Sequence, residues 1–126
     1  METKRQKQAA EIIRRNFGIL LTQEGNYFYG AEPFVTVTAV QMSPDLGIAK
    51  IYLSIFNTED KQSVILKMED SYPMIKQSLY RRIRNKLRRM PELQFYLDDT
   101  LDEMYRLRDV FNRLREENQL GKDEEE

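Results

Sequence analysis

The chain has 126 residues and a net charge of −1, with 20 Lys plus Arg against 21 Asp plus Glu and 40% apolar residues; this is one domain's worth, with apolar material for one modest core. Cys and His are both absent, which excludes disulfide scaffolds, thiolate metal sites, Cys nucleophiles and the usual general base near neutral pH. No apolar run approaches the roughly 20 residues of a membrane span, and the start, Met1-Glu2-Thr3-Lys4-Arg5-Gln6-Lys7, has no signal-peptide apolar region, so a soluble, cytoplasmic chain is expected, and composition argues against most enzyme classes.

Lys4 to about Thr22 is expected to be helical, because Ala9, Ile12, Ile13, Phe17, Leu20 and Leu21 share one side of a helix. Lys4, Lys7, Arg14 and Arg15 fall on the other side. Gly25, Asn26 and Gly30 make Gln23 to Glu32 a predicted loop, with Tyr27-Phe28-Tyr29 packed within it. Phe34 to Met42 is β-branched and alternating, with Val35, Val37 and Ala39 expected on one face. Ser43-Pro44-Asp45-Leu46-Gly47 is turn chemistry, with Gly47 available for positive φ. Ile48 to Phe56 follows as a strand with Ala49, Ile51, Leu53 and Ile55 inward, paired antiparallel with the first across the short turn.

A helix is expected to begin at Asn57-Thr58-Glu59-Asp60, where a capping residue is followed by acids. Its apolar positions are Val64, Ile65 and Met68. Ser71-Tyr72-Pro73 interrupts it, because Pro73 lacks a backbone donor and restricts Tyr72. Helical spacing resumes through Ile75, Leu79, Ile83 and Leu87, with Arg81, Arg84 and Arg88 on the opposite face, until Pro91 closes the segment. Leu93 to Leu97 is a short third strand. Thr100-Leu101-Asp102-Glu103 is a capping-box sequence opening a last helix over about 100–118. Residues 1–120 are thus expected to form a single α+β domain of helices on one face of a three-stranded sheet, and 121–126 an acidic, disordered tail.

Charge is unevenly spread. Residues 1–89 carry 15 Lys/Arg and 9 Asp/Glu, a surplus of +6, whereas 90–126 carry 5 and 12, a deficit of −7. From Ser71 to Pro91 there is no acid, while Lys76, Arg81, Arg82, Arg84, Lys86, Arg88 and Arg89 crowd together. Such a cluster is a solvated face or a phosphate-binding surface, and the missing acidic partners favour the second. Chemistry has little support: no Lys-Ser/Thr follows Gly25 and Gly30. Asp98, Asp99, Asp102 and Glu103 could hold Mg²⁺ but read first as the acidic start of a helix. No metal and no cofactor are expected.

The order α-β-β-α-kink-α-β resembles the KH fold in its type II connection. Several stretches resemble ribosome-binding factor A: Arg5-x-x-x-x-Ala10-Glu11-x-Ile13-Arg14-Arg15; Phe34-Val35-Thr36-Val37-Thr38; and Ser43-Pro44-Asp45-Leu46 with Ala49-Lys50-Ile51-Tyr52-Leu53-Ser54. The last is Arg88-Arg89-Met90-Pro91-Glu92-Leu93-x-Phe95, followed by Asp98-Asp99-Thr100-Leu101. The likeness runs roughly from Thr3 to Val110. It implies a non-catalytic factor that binds the small (30S) ribosomal subunit and its 16S rRNA, assists late maturation and 5′-end rRNA processing, and supports growth in the cold. The family replaces the Gly-rich KH loop by an interrupted kink, usually Ala-x-Gly, and the matching positions here are Ser71, Tyr72 and Pro73. Pro73 removes a backbone donor there, and Tyr80 stands where a small residue is usual.

The expected RNA-binding residues are Lys4, Lys7, Arg14 and Arg15 on the first helix and Arg81, Arg84 and Arg88 beyond the kink. Arg82, Lys86 and Arg89 lie nearer the apolar stripe and could equally cover the core edge. Tyr52 and Tyr96 are expected on the non-core face of the sheet. The chain is expected to act as a monomer. The rival reading is a protein-interaction adaptor that uses Leu107, Phe111 and Leu114 of the last helix as a seam.

Overall fold

The computed structural model describes residues 2–98. The elements run α1 (Lys4–Tyr29), β1 (Phe34–Met42), β2 (Ile48–Phe56), α2 (Lys61–Asp70), α3 (Tyr72–Ile83) and β3 (Glu92–Leu97). The expected last helix, the acidic tail, and Asp99, Asp102 and Glu103 lie outside the described residues.

Thr3 caps α1 in a reciprocal box. Gln6 N–H donates to Thr3 Oγ1 at 3.2 Å and Thr3 N–H donates to Gln6 Oε1 at 2.8 Å. The helix then continues seven residues past Thr22, so the expected loop from Gln23 is corrected. Leu21, Gly25, Phe28 and Tyr29 extend the buried stripe at spacings of four, seven and eight. Gly25 is needed inside that stripe, because a Cβ there would lie 2.2 Å from the Tyr29 hydroxyl oxygen. Burial of the Tyr29 phenol pushes its pKa up. Gly30, with φ 96°, ends the helix.

β1 and β2 pair antiparallel as expected, but a bulge lies between Val37, opposite Leu53, and Ala39, opposite Tyr52. Thr38 is the extra residue. The bulge moves Ala39 to the exposed face and brings Val40 and Met42 to the core side, which corrects the expected Val35–Val37–Ala39 face. The Thr38 hydroxyl donates to an Asp98 carboxylate oxygen at 2.6 Å. On β2, Ala49, Ile51, Leu53 and Ile55 are fully buried. In the turn, positive φ falls on Leu46 (59°) and not on Gly47. Asp45 accounts for this: its carboxylate accepts from the Ser43 hydroxyl at 2.6 Å and from Gly47 N–H at 3.0 Å, fixing the loop around Leu46.

α2 starts four residues after Asn57. Asn57, with φ 61°, ends β2 and donates to the Glu32 carbonyl at 2.8 Å, while Asp60 is the cap and accepts from Ser63 N–H at 3.1 Å. Glu59 therefore lies before the helix. Ser71 ends α2 and precedes α3, and Pro73 sits in the first turn of α3, where its missing donor costs nothing. Ile75, Leu79 and Ile83 are fully buried. The helix stops at Ile83, so Arg84 and Arg88 do not share a helical face with Arg81. Both Lys86 N–H and Leu87 N–H donate to the Ile83 carbonyl, at 2.8 and 3.0 Å, in a tight turn that lets Leu87 and Met90 fold back onto the core.

β3 pairs parallel with β2, giving the order β1-β2-β3. Glu92 N–H donates to the Gly47 carbonyl at 2.8 Å and Leu93 N–H to the Tyr72 hydroxyl at 2.9 Å, so the turn and the kink both place the start of this strand. Phe95 stacks on Phe17 with ring centroids 5.8 Å apart. This α+β arrangement, helices on one face of a three-stranded mixed sheet, is the fold class expected from the sequence.

Candidate nucleic-acid interface

The cations expected to meet RNA are all exposed: Lys4, Lys7, Arg14 and Arg15 on α1, and Arg81, Arg84 and Arg88 at and beyond the end of α3. The fold divides them into groups. Arg14 and Arg15 line an open groove of about 430 Å³ against Val35 and Val37 of β1, floored partly by Gly18 and Ile19. Their charge is shared with one carboxylate. Arg14 donates to Glu11 from Nε at 2.9 Å and from Nη2 at 2.6 Å, and Arg15 reaches the same carboxylate at 3.4 Å. The Arg14 hydrogen bond lowers the Glu11 pKa, with both guanidinium charges adding to it, and raises that of Arg14. Two arginines and one glutamate leave a local surplus of one positive charge.

The second group lies where residues 84–91 fold back. Arg84, Arg88 and Arg89 line a shallow dent beside Tyr80. Arg88 and Arg89 also line a neighbouring groove of about 280 Å³, together with Lys86 and, from α1, Arg5. Arg5 was not singled out from the sequence as a contact. Its signal was its place four residues before Ala9 and seven before Ile12, on the flank of the buried stripe. Lys4, Lys7 and Arg81 line neither groove and stand on open surface.

The cations left aside in the sequence have their own partners or positions. Arg82 donates to Gln23 Oε1, tying α3 to the second half of α1. Arg89 reaches the β1–β2 turn, where its guanidinium would lie 3.2 Å from a Cβ on Gly47. The Asp45 pKa is lowered there, first by the Ser43 hydroxyl, then by Gly47 N–H, with the Arg89 charge adding to them.

At the kink, Tyr72 is half-buried, packs edge-on against Phe95 at 6.2 Å and accepts from Leu93 N–H. Ser71 and Pro73 bear no cation, and Lys76 lies over the Tyr72 ring at 5.7 Å. Tyr52 and Tyr96 stand on the outer face of the sheet and stack at 5.5 Å. No group of His, Cys, Asp or Glu able to hold a metal occurs among the described residues, and no helix there is long and apolar enough to cross a membrane.

A sequence profile described as ribosome-binding factor A matches residues 5–111. The chain belongs to the ribosome-binding factor A family. Relatives with that name include those of Cytophaga hutchinsonii, 35% identical over 114 residues covering 90% of this chain and 85% of the relative, and Flavobacterium psychrophilum, 34% identical over 102 residues covering 81% and 78%. Among solved structures, the crystal structure of ribosome-binding factor A from Thermus thermophilus has a TM-score of 0.60 at 18% identity, over 73% of this chain and 94% of that one. A Thermus thermophilus ribosome-binding factor A homology model, fitted into a cryo-EM map of a 30S complex, has a TM-score of 0.54 at 22% identity, over 69% and 88%. These two likenesses establish the shared fold.

Proposed function

We propose that this chain is a non-catalytic, monomeric, cytoplasmic factor that binds the small (30S) ribosomal subunit through its 16S rRNA, assisting late maturation and 5′-end rRNA processing and supporting growth in the cold. Family membership supports the ribosomal partner, and so does the 30S complex formed by the Thermus thermophilus relative. The observation that carries the RNA reading is the 71–91 segment, which holds seven cations, no acid, and its arginines 81, 84 and 88 exposed. Each phosphate neutralised releases a counterion, so log affinity falls by roughly 0.7–0.9 per contact per decade of salt. Bound in this way, the factor favours whichever arrangement of immature rRNA it binds more tightly.

Co-sedimentation with purified small and large subunits at low and moderate salt tests this. Selective, salt-sensitive binding to the small subunit is expected, lost in an Arg81→Glu/Arg84→Glu/Arg88→Glu variant. The Arg14→Glu/Arg15→Glu variant is expected to lose less, because Glu11 already offsets half of that charge. Binding to neither subunit would overturn the reading. Loss on replacing Phe111 or Leu114, with little salt dependence, would favour the adaptor role.

A further inference from the structure

We propose that the groove between α1, the β1–β2 turn and residues 84–91 seats one unpaired nucleotide of the bound RNA, its base on the groove floor and its phosphates at the rim. This deepens the RNA-docking reading and rests on it. The groove takes in no residue of the Ser71–Tyr72–Pro73 junction.

The floor is apolar: Ala9 and Ile12 from α1, Leu46 from the turn, and Leu87 and Pro91 from the returning segment. Ile12, Leu46 and Leu87 pack on the core yet remain partly uncovered. The rim carries Arg5, Lys86, Arg88 and Arg89, against the single carboxylate of Asp45. A phosphate alone has no use for that floor. Paired RNA offers phosphates and sugars but keeps its base faces stacked, whereas an unpaired base can present a planar apolar face to side chains and guanidinium groups. The volume, about 280 Å³, is just under the range of sites for drug-sized ligands, roughly 300–1,000 Å³, a scale fitting one nucleotide.

An acidic peptide would also meet the charge. It would need backbone partners, and three of those in the turn are already engaged. The Gly47 carbonyl accepts from Glu92, Gly47 N–H donates to Asp45, and Leu46 N–H donates to the Ser43 carbonyl at 2.9 Å. The rim also continues past the groove through Arg88 to Arg84 in the adjoining dent, a charged track suited to the flanking phosphates of a polynucleotide.

The test uses the full chain and three RNA hairpins of identical stem: one with a single bulged adenosine, one with an abasic bulge, one unbulged. Fluorescence anisotropy is expected to show the bulged adenosine bound about tenfold more tightly than the other two. Gln8→Trp, at an exposed helical position on the groove rim, fills the groove without changing charge. It is expected to abolish that preference while leaving affinity for the unbulged hairpin unchanged. As a readout independent of any variant, 2-aminopurine at the bulge is expected to change its fluorescence on binding the unaltered chain. Equal affinity for all three hairpins, with 30S binding intact, overturns the nucleotide seat and leaves the docking reading standing. Loss of 30S binding itself would be the failure of that earlier reading. An oligoglutamate peptide that binds the unaltered chain but not Gln8→Trp would assign the groove to acidic peptides and overturn the proposal.

Discussion

Gln6 is a buried polar side chain whose amide oxygen and nitrogen are both hydrogen-bonded. Its backbone N–H and side-chain oxygen complete the cap with Thr3, and its Nε2 donates to the Met42 carbonyl at 3.0 Å, joining the start of α1 to the end of β1. Gln6→Leu keeps roughly the volume but leaves both Thr3 N–H and the Met42 carbonyl without this partner. A loss of about 1–3 kcal/mol is expected, read as a lower urea midpoint at unchanged m-value; a shift under about 0.5 kcal/mol would show that solvent replaces the bond. The capping half of this role is legible as Thr3-x-x-Gln6, but the bond to Met42 spans 36 residues and has no local signature. Leu46 is a similar case. The turn itself was evident from Pro44, Asp45 and Gly47, yet the left-handed residue is decided by which N–H groups the Asp45 carboxylate captures.

Among the elements, α1 separates two kinds of glycine. A Cβ on Gly18 would meet nothing within 4 Å, whereas one on Gly25 would meet the Tyr29 ring. Gly18→Ala is therefore expected to stabilise by about 0.5–1 kcal/mol through helix propensity. Gly25→Ala is expected to destabilise by about 1–3 kcal/mol, because Tyr29 must leave its buried position. Thermal melts of the two variants should move in opposite directions; a rise for both would show that Tyr29 relocates freely, and a fall for both would overturn the expectation for Gly18. By residue type Gly25 reads as a break, although Phe28 and Tyr29 keep the helical spacing of Leu21. The bulge had a trace of the same kind, since Val35-x-Val37 and Val40-x-Met42 alternate out of phase. The end of α3 had none: Leu87 keeps the four-residue spacing of Ile75, Leu79 and Ile83, yet the helix stops at Ile83 and the segment that follows brings Glu92 to Gly47. That early stop is why the candidate site was only partly foreseen. It takes Arg84 and Arg88 off the helix and sets Arg88 beside Arg5.

For the whole molecule, the near-neutral net charge conceals a cationic first 89 residues and an anionic remainder. Deleting residues 122–126 removes one lysine and four acids and moves the net charge from −1 to +2. Faster and tighter association with RNA is expected at low salt, converging with the full chain as the Debye length shrinks to a few ångströms near 1 M. Stopped-flow association across a salt series checks this, and identical rates at low salt would show that the acids do not sense the RNA. The Phe17–Phe95 stack has a consequence for timing. Phe17 is synthesised 78 residues before the ring that covers it, and β3 enters the sheet as a parallel strand, a long-range pairing that is slow to form. Until that strand arrives, residues 86–89 have the turn at Ile83 and the packing of Leu87 but lack the Glu92 bond to Gly47 that fixes the far end of the segment. A chain whose β3 has not yet paired with β2 thus has its cations but not the strand that fixes the end of their segment, so on the docking reading proposed above the arrangement is complete only once β3 is in place.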